Sequence, residues 1–327
     1  LMVALPILGV YLLLRATVLH FADTAGETAP FGTRLVQALQ ALFLYMRLIL
    51  WPTGLHMERT LDAVPAWLAL PGAAVLAALG AWAVHAVRTK RPRAAIGICW
   101  FLGTWLPISG LFPLNAPMAE HWMYVPLAGL LWAVLEYLAP LVTRPVSGKL
   151  VWAGVYAYSL VFLGLSVDRN RDWRDNETIY LATLRENPKT IRVHYNLAVT
   201  YDSLLNNVPG ARREYEEVIK LYAAKKALRA GVGGESFWDD ELDSHLSLGN
   251  IYMEMRDFDK AVPHFETILR IQPSAKQGGL LGKAAFGMGQ CYLATGRTDL
   301  ARQQFQKALQ YKPDLKPQVQ QLLGMAN

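Results

Sequence analysis

Glu120 and His121 put a carboxylate and an imidazole directly against the start of an apolar run, Trp122–Val142, where they could act on a ligand at a membrane edge. Tyr124 follows on the same stretch. A second polar connection, Trp51-Pro52-Thr53-Gly54-Leu55-His56-Met57-Glu58, sets His56 and Glu58 among apolar neighbours in the same way. Two arginines, Arg15 near the end of Met2–Val18 and Arg47 within Leu35–Trp51, are the basic residues lying inside apolar runs. An arginine in lipid is costly unless it is paired or reached by water. Either the two snorkel to the headgroups, or they face a cavity and grip the phosphate of a lipid-borne ligand through the guanidinium fork. Trp51, Trp122 and Tyr124 equally suit an interfacial aromatic belt, with prolines breaking helices at the surface.

Other chemistries find no residues. There is no phosphate-cradling Gly-Lys-Ser/Thr loop, dinucleotide fingerprint, His-Glu-x-x-His pair or Gly-x-Ser-x-Gly elbow, and no metal site is assigned. His194 and His245 fall at equivalent positions of two repeats and read as interhelical packing, and Glu216-Glu217 and Asp239-Asp240-Glu241 read as solvated faces. Cys99 and Cys291 are too few for a disulfide framework.

The elements that must position these residues divide by charge. Residues 1–167 hold 10 Lys+Arg and 6 Asp+Glu, and residues 168–327 hold 22 and 20, so only the second part has the composition of a water-soluble domain. The first part carries apolar runs long enough to cross a bilayer at Met2–Val18, Ala66–Val87, Ala94–Leu114, Trp122–Val142 and Leu150–Val167. Leu35–Trp51, with Gln37, Gln40 and Arg47, is weaker: either it spans, which puts the connections 19–34 and 52–65 on opposite sides, or, as charge parity favours, it is an interfacial or re-entrant helix. Arg88, Lys90, Arg91, Arg93, Arg144 and Lys149 cluster in two connections, which places those on the cytoplasmic side. The last run then delivers Asp168 and all that follows to the opposite side, the bacterial periplasm or the lumen of the endoplasmic reticulum. The excess positive charge is topological and no basic patch with interleaved aromatics occurs, so no nucleic-acid partner is expected.

The second part repeats. Leu197-Ala198…Tyr201, Leu248-Gly249…Tyr252 and Met288-Gly289…Tyr292 mark first helices, and Ala211…Tyr215, Ala261…Phe265…Pro273 and Ala301…Phe305…Pro313 mark second helices. This is the tetratricopeptide pattern of small and aromatic residues. Asn176–Glu186 reads as a half-repeat joining the last span to the array, and Pro317–Met325 as a cap. The expected fold is all-α: a transmembrane region at 1–167, a junction at 168–188 and a repeat solenoid at 189–327. Register places Arg192, Tyr195, Asp243, Asn250, Glu254, Lys283, Phe286 and Gln290 on the concave face, where mixed charge and two aromatics suit an extended polypeptide.

The run YMRLILWPTGLHME, then GLFPLNAPMAEHWMYVPLAGL, then a last span entering tetratricopeptide repeats resembles the C-terminal half of the transmembrane and tetratricopeptide protein O-mannosyltransferase family and its bacterial relatives. The closest correspondence is Ala119-Glu120-His121-Trp122-Met123-Tyr124-Val125-Pro126, with His121 standing where the family pattern has arginine. The resemblance implies an integral membrane glycosyltransferase that moves a sugar from a polyprenyl-phosphate carrier to a protein acceptor on the non-cytoplasmic side. It implies no nucleotide cofactor, with room for a divalent metal. Arg15, Arg47, His56, Glu58, Glu120, His121 and Tyr124 are then the residues expected to bind the donor. The family's catalytic base sits on an early outer loop with no counterpart in this chain, so the chain is expected to be the C-terminal half of such an enzyme and to hold no catalytic residue of its own. The alternative is a membrane-anchored scaffold whose repeats recruit partners without chemistry.

Overall fold

In the computed structural model, residues 30–61, 64–112, 114, 116–228, 239–271 and 277–325 are described. They are helices and connections, with one isolated antiparallel bridge, Arg59 to Met118, as the sole strand-like pairing among them. Arg15, and the whole run Met2–Val18 that holds it, lie outside the described residues. The chain divides after Asn170 into two compact units.

The first unit contains α1 (Phe31–Leu50), α2 (Ala69–Arg88), α3 (Pro92–Trp105), α4 (Tyr124–Val142) and α5 (Pro145–Asn170). Four stretches among the described residues are long and apolar enough to cross a membrane: Phe31–Leu50, Ala66–Arg88, Glu120–Val142 and Pro145–Trp173. At about 1.5 Å per residue a 20-residue helix reaches the 30 Å of a hydrocarbon core. The apolar run read as Ala94–Leu114 becomes a shorter helix. Pro92 starts α3 at its first turn, and the helix gives way at Trp105 to a 3₁₀ turn, Leu106–Ile108, containing Pro107. Ser109 Oγ then bonds Leu106 O at 2.7 Å, and Gly110 takes a left-handed φ of 85°.

Helices α3 and α4 pack face to face. Ala94, Gly97, Ile98, Phe101 and Trp105 meet Pro126, Gly129, Leu130 and Ala133, both sets at the three-and-four spacing of one helical stripe. Helix α1 is long enough to span, yet its polar side chains are bound by the connections 51–65 and 106–119. Arg34 Nη1 donates to Leu111 O (2.7 Å), Gln40 Nε2 to Val64 O and Pro65 O (3.1 and 3.0 Å), and Arg47 Nη2 to Thr53 Oγ1 (3.3 Å). Along α5 none of the apolar window is buried.

The second unit opens with α6 (Asn176–Glu186), capped by Asp175, whose carboxylate accepts from Thr178 N at 2.8 Å. Three helical hairpins follow: α7 (Ile191–Ser203) with α8 (Val208–Leu228), α9 (Asp239–Glu254) with α10 (Phe258–Leu269), and α11 (Gly278–Ala294) with α12 (Thr298–Tyr311). Helix α13 (Lys316–Met325) packs Val319 against Ala301 and Phe305. The core is the set of small and aromatic residues picked out by spacing: Ala198, Ala211, Tyr215, Ala261, Phe265, Ala301 and Phe305 are all buried. The turns of the last two hairpins share one design. Asp257 N bonds Tyr252 O (2.9 Å) and Arg297 N bonds Tyr292 O (2.8 Å), each across a left-handed residue, Arg256 (φ 59°) in one and Gly296 (φ 74°) in the other.

Candidate functional site

Glu120 opens the 3₁₀ turn Glu120–Met123 that leads into α4, and its position is set from two sides. The Tyr45 hydroxyl on α1 accepts from Ala119 N (2.9 Å) and donates to Ala119 O (3.1 Å), clamping the residue just before it. Arg59, on the connection after α1, forms the bridge with Met118 and donates from Nε and Nη2 to Glu120 Oε1 at 3.1 and 2.9 Å. A third donor, His56 N, reaches the same oxygen at 3.1 Å, and Arg59 Nη2 also holds Gly54 O at 2.6 Å. Oε2 of Glu120 makes no hydrogen bond among the described residues. The pair is well shielded, the side chains being 11% (Arg59) and 28% (Glu120) exposed. Shielded ion pairs persist where additional hydrogen bonds support them, as the Gly54 carbonyl does for Arg59 and the His56 amide for Glu120 Oε1.

Beside this pair lies a cleft of about 350 Å³. Its walls are Tyr45, Leu48 and Ile49 of α1, Leu55, and Met123, Tyr124, Leu127 and Leu131 from the start of α4; Tyr158 and Phe162 of α5 close it, and Glu120 is its one charged lining residue. Tyr158 is fixed by a 2.9 Å bond from its hydroxyl to Ile49 O and lies 4.2 Å from the Phe162 ring, centroid to centroid. A cleft of this size, largely apolar with one carboxylate at its margin, suits a ligand with a hydrocarbon part and a hydrogen-bonding head. The free carboxylate oxygen is a strong acceptor for hydroxyl groups.

The residues singled out from sequence distribute unevenly around this feature. Glu120 and Tyr124 line the cleft, Tyr124 being 77% exposed. His56 is buried next to the pair; burial, reinforced by the Arg59 charge, pushes its imidazole down to about 4, so it is neutral at neutral pH. Glu58 lies half-buried in the same connection. His121 points outward with its ring edge-on to Trp122 (6.0 Å). Arg47 is exposed against Thr53 and is not part of the cleft lining. Arg59 and Tyr45 organise the site and were not singled out. Arg59 is the one arginine of its connection, facing a connection whose one carboxylate is Glu120, and that opposite pairing is the signal that would have found it. Among the described residues no three His, Cys, Asp or Glu side chains come together to hold a metal ion.

In the repeat unit, four of the eight concave-face residues form one electrostatic group. The Tyr195 hydroxyl approaches Asp243 Oδ2 at 3.5 Å, with its ring edge-on to Tyr215. Burial raises the Asp243 carboxyl, Asp239 and Asp240 add to this, and Lys283 opposes it. Burial likewise raises Asp240, opposed by Arg192. Asn250 and Glu254 are exposed farther along α9, and Gln290 is half-buried. Phe286 is turned into the packing, its ring 5.7 Å from that of Phe305. The histidines are interhelical, as their spacing indicated: His194 Nδ1 lies 2.7 Å from Glu214 Oε2, and His245 Nδ1 lies 2.9 Å from His264 Nδ1.

Comparison with known proteins adds two findings. Residues 240–314 match the tetratricopeptide repeat family. Protein O-mannosyl-transferase TMTC3 of Mus musculus is 20% identical over 243 residues, 71% of this chain and 25% of that protein. The protein of the same name from Homo sapiens is 20% identical over 266 residues, 78% of this chain and 27% of its own length. The chain thus spans about a quarter of the length of the curated relatives it matches, and its similarity to them is weak.

Proposed function

We propose that the chain is the membrane and acceptor-docking part of a glycosyltransferase that moves a sugar from a polyprenyl-phosphate carrier to a protein hydroxyl. The observation that carries this reading is the cleft beside the Arg59–Glu120 pair, which offers apolar walls to a prenyl chain and a free carboxylate oxygen to the hydroxyls of a sugar. The matched relatives carry the name O-mannosyl-transferase, which makes mannose the first sugar to test. In the transfer, the bond from the anomeric carbon to the phosphate oxygen breaks and one to a Ser or Thr hydroxyl oxygen forms. The hydroxyl proton passes to a general base, and polyprenyl phosphate leaves.

The domain division follows from this reading: a membrane region at 1–167, a junction at 168–188 and docking repeats at 189–327. The basic connections 88–93 and 143–149 face the cytoplasm and the Glu120 cleft the other side, where α5 delivers the repeats. Helix α1, with its polar side chains bound by the two connections at the cleft end, serves as an interfacial or re-entrant cover of the cleft. On the repeats, the Arg192, Tyr195, Asp243 and Lys283 group supplies both donors and acceptors to an extended acceptor chain.

The test uses the natural full-length protein in membranes, supplied with polyprenyl-phosphate-linked radiolabelled mannose and an unstructured Ser/Thr-rich acceptor. Base-labile incorporation is expected. Glu120→Gln is expected to lower it about tenfold or more, the loss of one charge-assisted hydrogen bond. Absence of incorporation, with partner capture by the repeats intact, would transfer the assignment to the scaffold reading.

A further inference from the structure

The opposite end of the membrane unit holds a second cleft, made by the turn from α4 into α5. The turn is pinned by three bonds: Gly148 N to Arg144 O (2.7 Å), Ser147 Oγ to Leu141 O (2.8 Å) and Thr143 Oγ1 to Pro140 O (3.1 Å). Glycine is required at 148 because a Cβ there would run into the Val142 carbonyl. Next to the turn opens a cleft of about 650 Å³ whose lining includes Arg144, Lys149, Trp152 and Tyr156.

Its charge is uncompensated. No carboxylate lines the cleft, and neither Arg144 nor Lys149 has an ion pair among the described residues. Two arginines of the neighbouring basic connection are occupied: Arg91 donates to Glu136 O at 3.0 Å and lies 4.5 Å over the Tyr137 ring, and Arg93 reaches the Glu136 carboxylate at 3.9 Å. Trp152 and Tyr156 sit on successive turns of α5 with ring centroids 6.0 Å apart, and the apolar surface that continues from them along α5 is unburied. Such rings, apolar in body and polar at the tip, settle at the boundary between headgroups and acyl chains.

We propose that this cleft binds the headgroup of an anionic phospholipid. Arg144 and Lys149 hold its phosphate, and Trp152 and Tyr156 line the path of the first acyl carbons. A free phosphate would use the two cations alone, whereas a lipid uses the cations, the rings and the apolar face of α5 together. Basic pockets between membrane helices on the cytoplasmic side recognise acidic headgroups in this way, and the side fits the orientation proposed above. The site does not depend on any transferase activity.

The experiment is native mass spectrometry of the full chain released from detergent with added phosphatidylglycerol or phosphatidylcholine, and with glycerol phosphate as a soluble competitor. Wild type is expected to retain phosphatidylglycerol over phosphatidylcholine by about tenfold, and the preference should fall severalfold between low and high salt. The double variant Arg144→Gln/Lys149→Gln should bring the two lipids within about twofold of each other, and the control Arg88→Gln/Lys90→Gln should keep the wild-type preference. Helical content by circular dichroism confirms that the variants are folded; should the double variant fail this check, the single variants Arg144→Gln and Lys149→Gln carry the test, each reducing the preference. Equal retention of both lipids by wild type, or an undiminished preference in the folded variants, overturns the proposal. Full displacement of the lipid by glycerol phosphate also overturns it, in favour of a simple phosphate site.

Discussion

The repeat unit and helix α5 of the membrane unit place their large side chains by opposite rules. In the repeats, Leu197, Tyr215, Leu248, Phe265 and Phe305 are fully or nearly fully buried, and the charged residues stand mostly outside or in pairs. In the membrane unit, Leu150, Trp152, Tyr156, Leu160 and Leu163 of α5 are exposed, while Gln40 and Tyr45 are buried and Arg59 nearly so. Water around the repeats drives apolar groups inward, at about 25 cal/mol per Å². Lipid around α5 exerts no such drive, so specificity in that unit falls to polar clasps such as Tyr45 on Ala119 and Arg59 on Glu120. A residue type therefore carries different information on the two sides of Asn170.

The largest expected effect lies in the repeats. Phe265→Ala should destabilise that unit by about 3–5 kcal/mol, because the ring is fully buried between two hairpins and neighbours cannot collapse into its place. Chemical unfolding of the purified chain, followed by hydrogen exchange of α9–α11, measures this. In the membrane unit, apolar deletions on the outer face of α5, such as Leu163→Ala, should shift stability little. Glu120→Ala should cost about 2–3 kcal/mol by leaving the Arg59 guanidinium without its acceptor. The double variant Arg59→Met/Glu120→Leu should recover most of that loss, which thermal denaturation in detergent reads as a coupling energy. If Leu163→Ala costs more than Glu120→Ala, the contrast between the two units breaks.

Much of the repeat unit was legible in advance for this reason. Tyr252, Ala261 and Phe265, and again Tyr292, Ala301 and Phe305, recur at fixed intervals because each hairpin buries the same stripe against water. The Glu120 stretch was legible as a place where polar groups meet an apolar run. Arg59 and Tyr45 were not, because their roles arise from contacts 61 and 74 residues away along the chain, and nothing periodic marks such contacts. Hydropathy alone carries helix α3 on to Leu114, because it does not register the helix-ending effect of Pro107 and Gly110.

Acidity sharpens the comparison within the repeats themselves. His194 and His245 occupy equivalent positions but should titrate with opposite sign. Burial opposes the charge on His194, yet the Glu214 carboxylate and the Pro188 carbonyl outweigh it and hold the imidazole above its usual value. Its contribution is full below about pH 6.5 and is lost as pH rises through the raised value. His245 is pushed down to about 4 by burial and by the facing His264. Its contribution is full above about pH 6.5 and is lost as pH falls toward 4. Melting temperature against pH should therefore lose its acid limb in His245→Leu and its upper limb in His194→Gln. Swapping those outcomes would refute the assigned environments.

The smallest effect concerns a turn. Arg256→Gly should stabilise the second hairpin by about 0.5–1 kcal/mol, since Arg256 holds the left-handed conformation that Gly296 takes without strain in the next repeat. A shift of the unfolding midpoint to lower denaturant would show that the Arg256 side chain contributes more than its backbone costs.

The most direct measurement on the Glu120 cleft is photo-crosslinking with a diazirine-bearing polyprenyl phosphate, followed by peptide mapping. Labelling concentrated on the cleft segments 45–55 and 120–131, and suppressed by Leu131→Trp, is the result expected of a carrier site. Labelling spread evenly along the lipid-facing surface of α5, unchanged by Leu131→Trp, would contradict it.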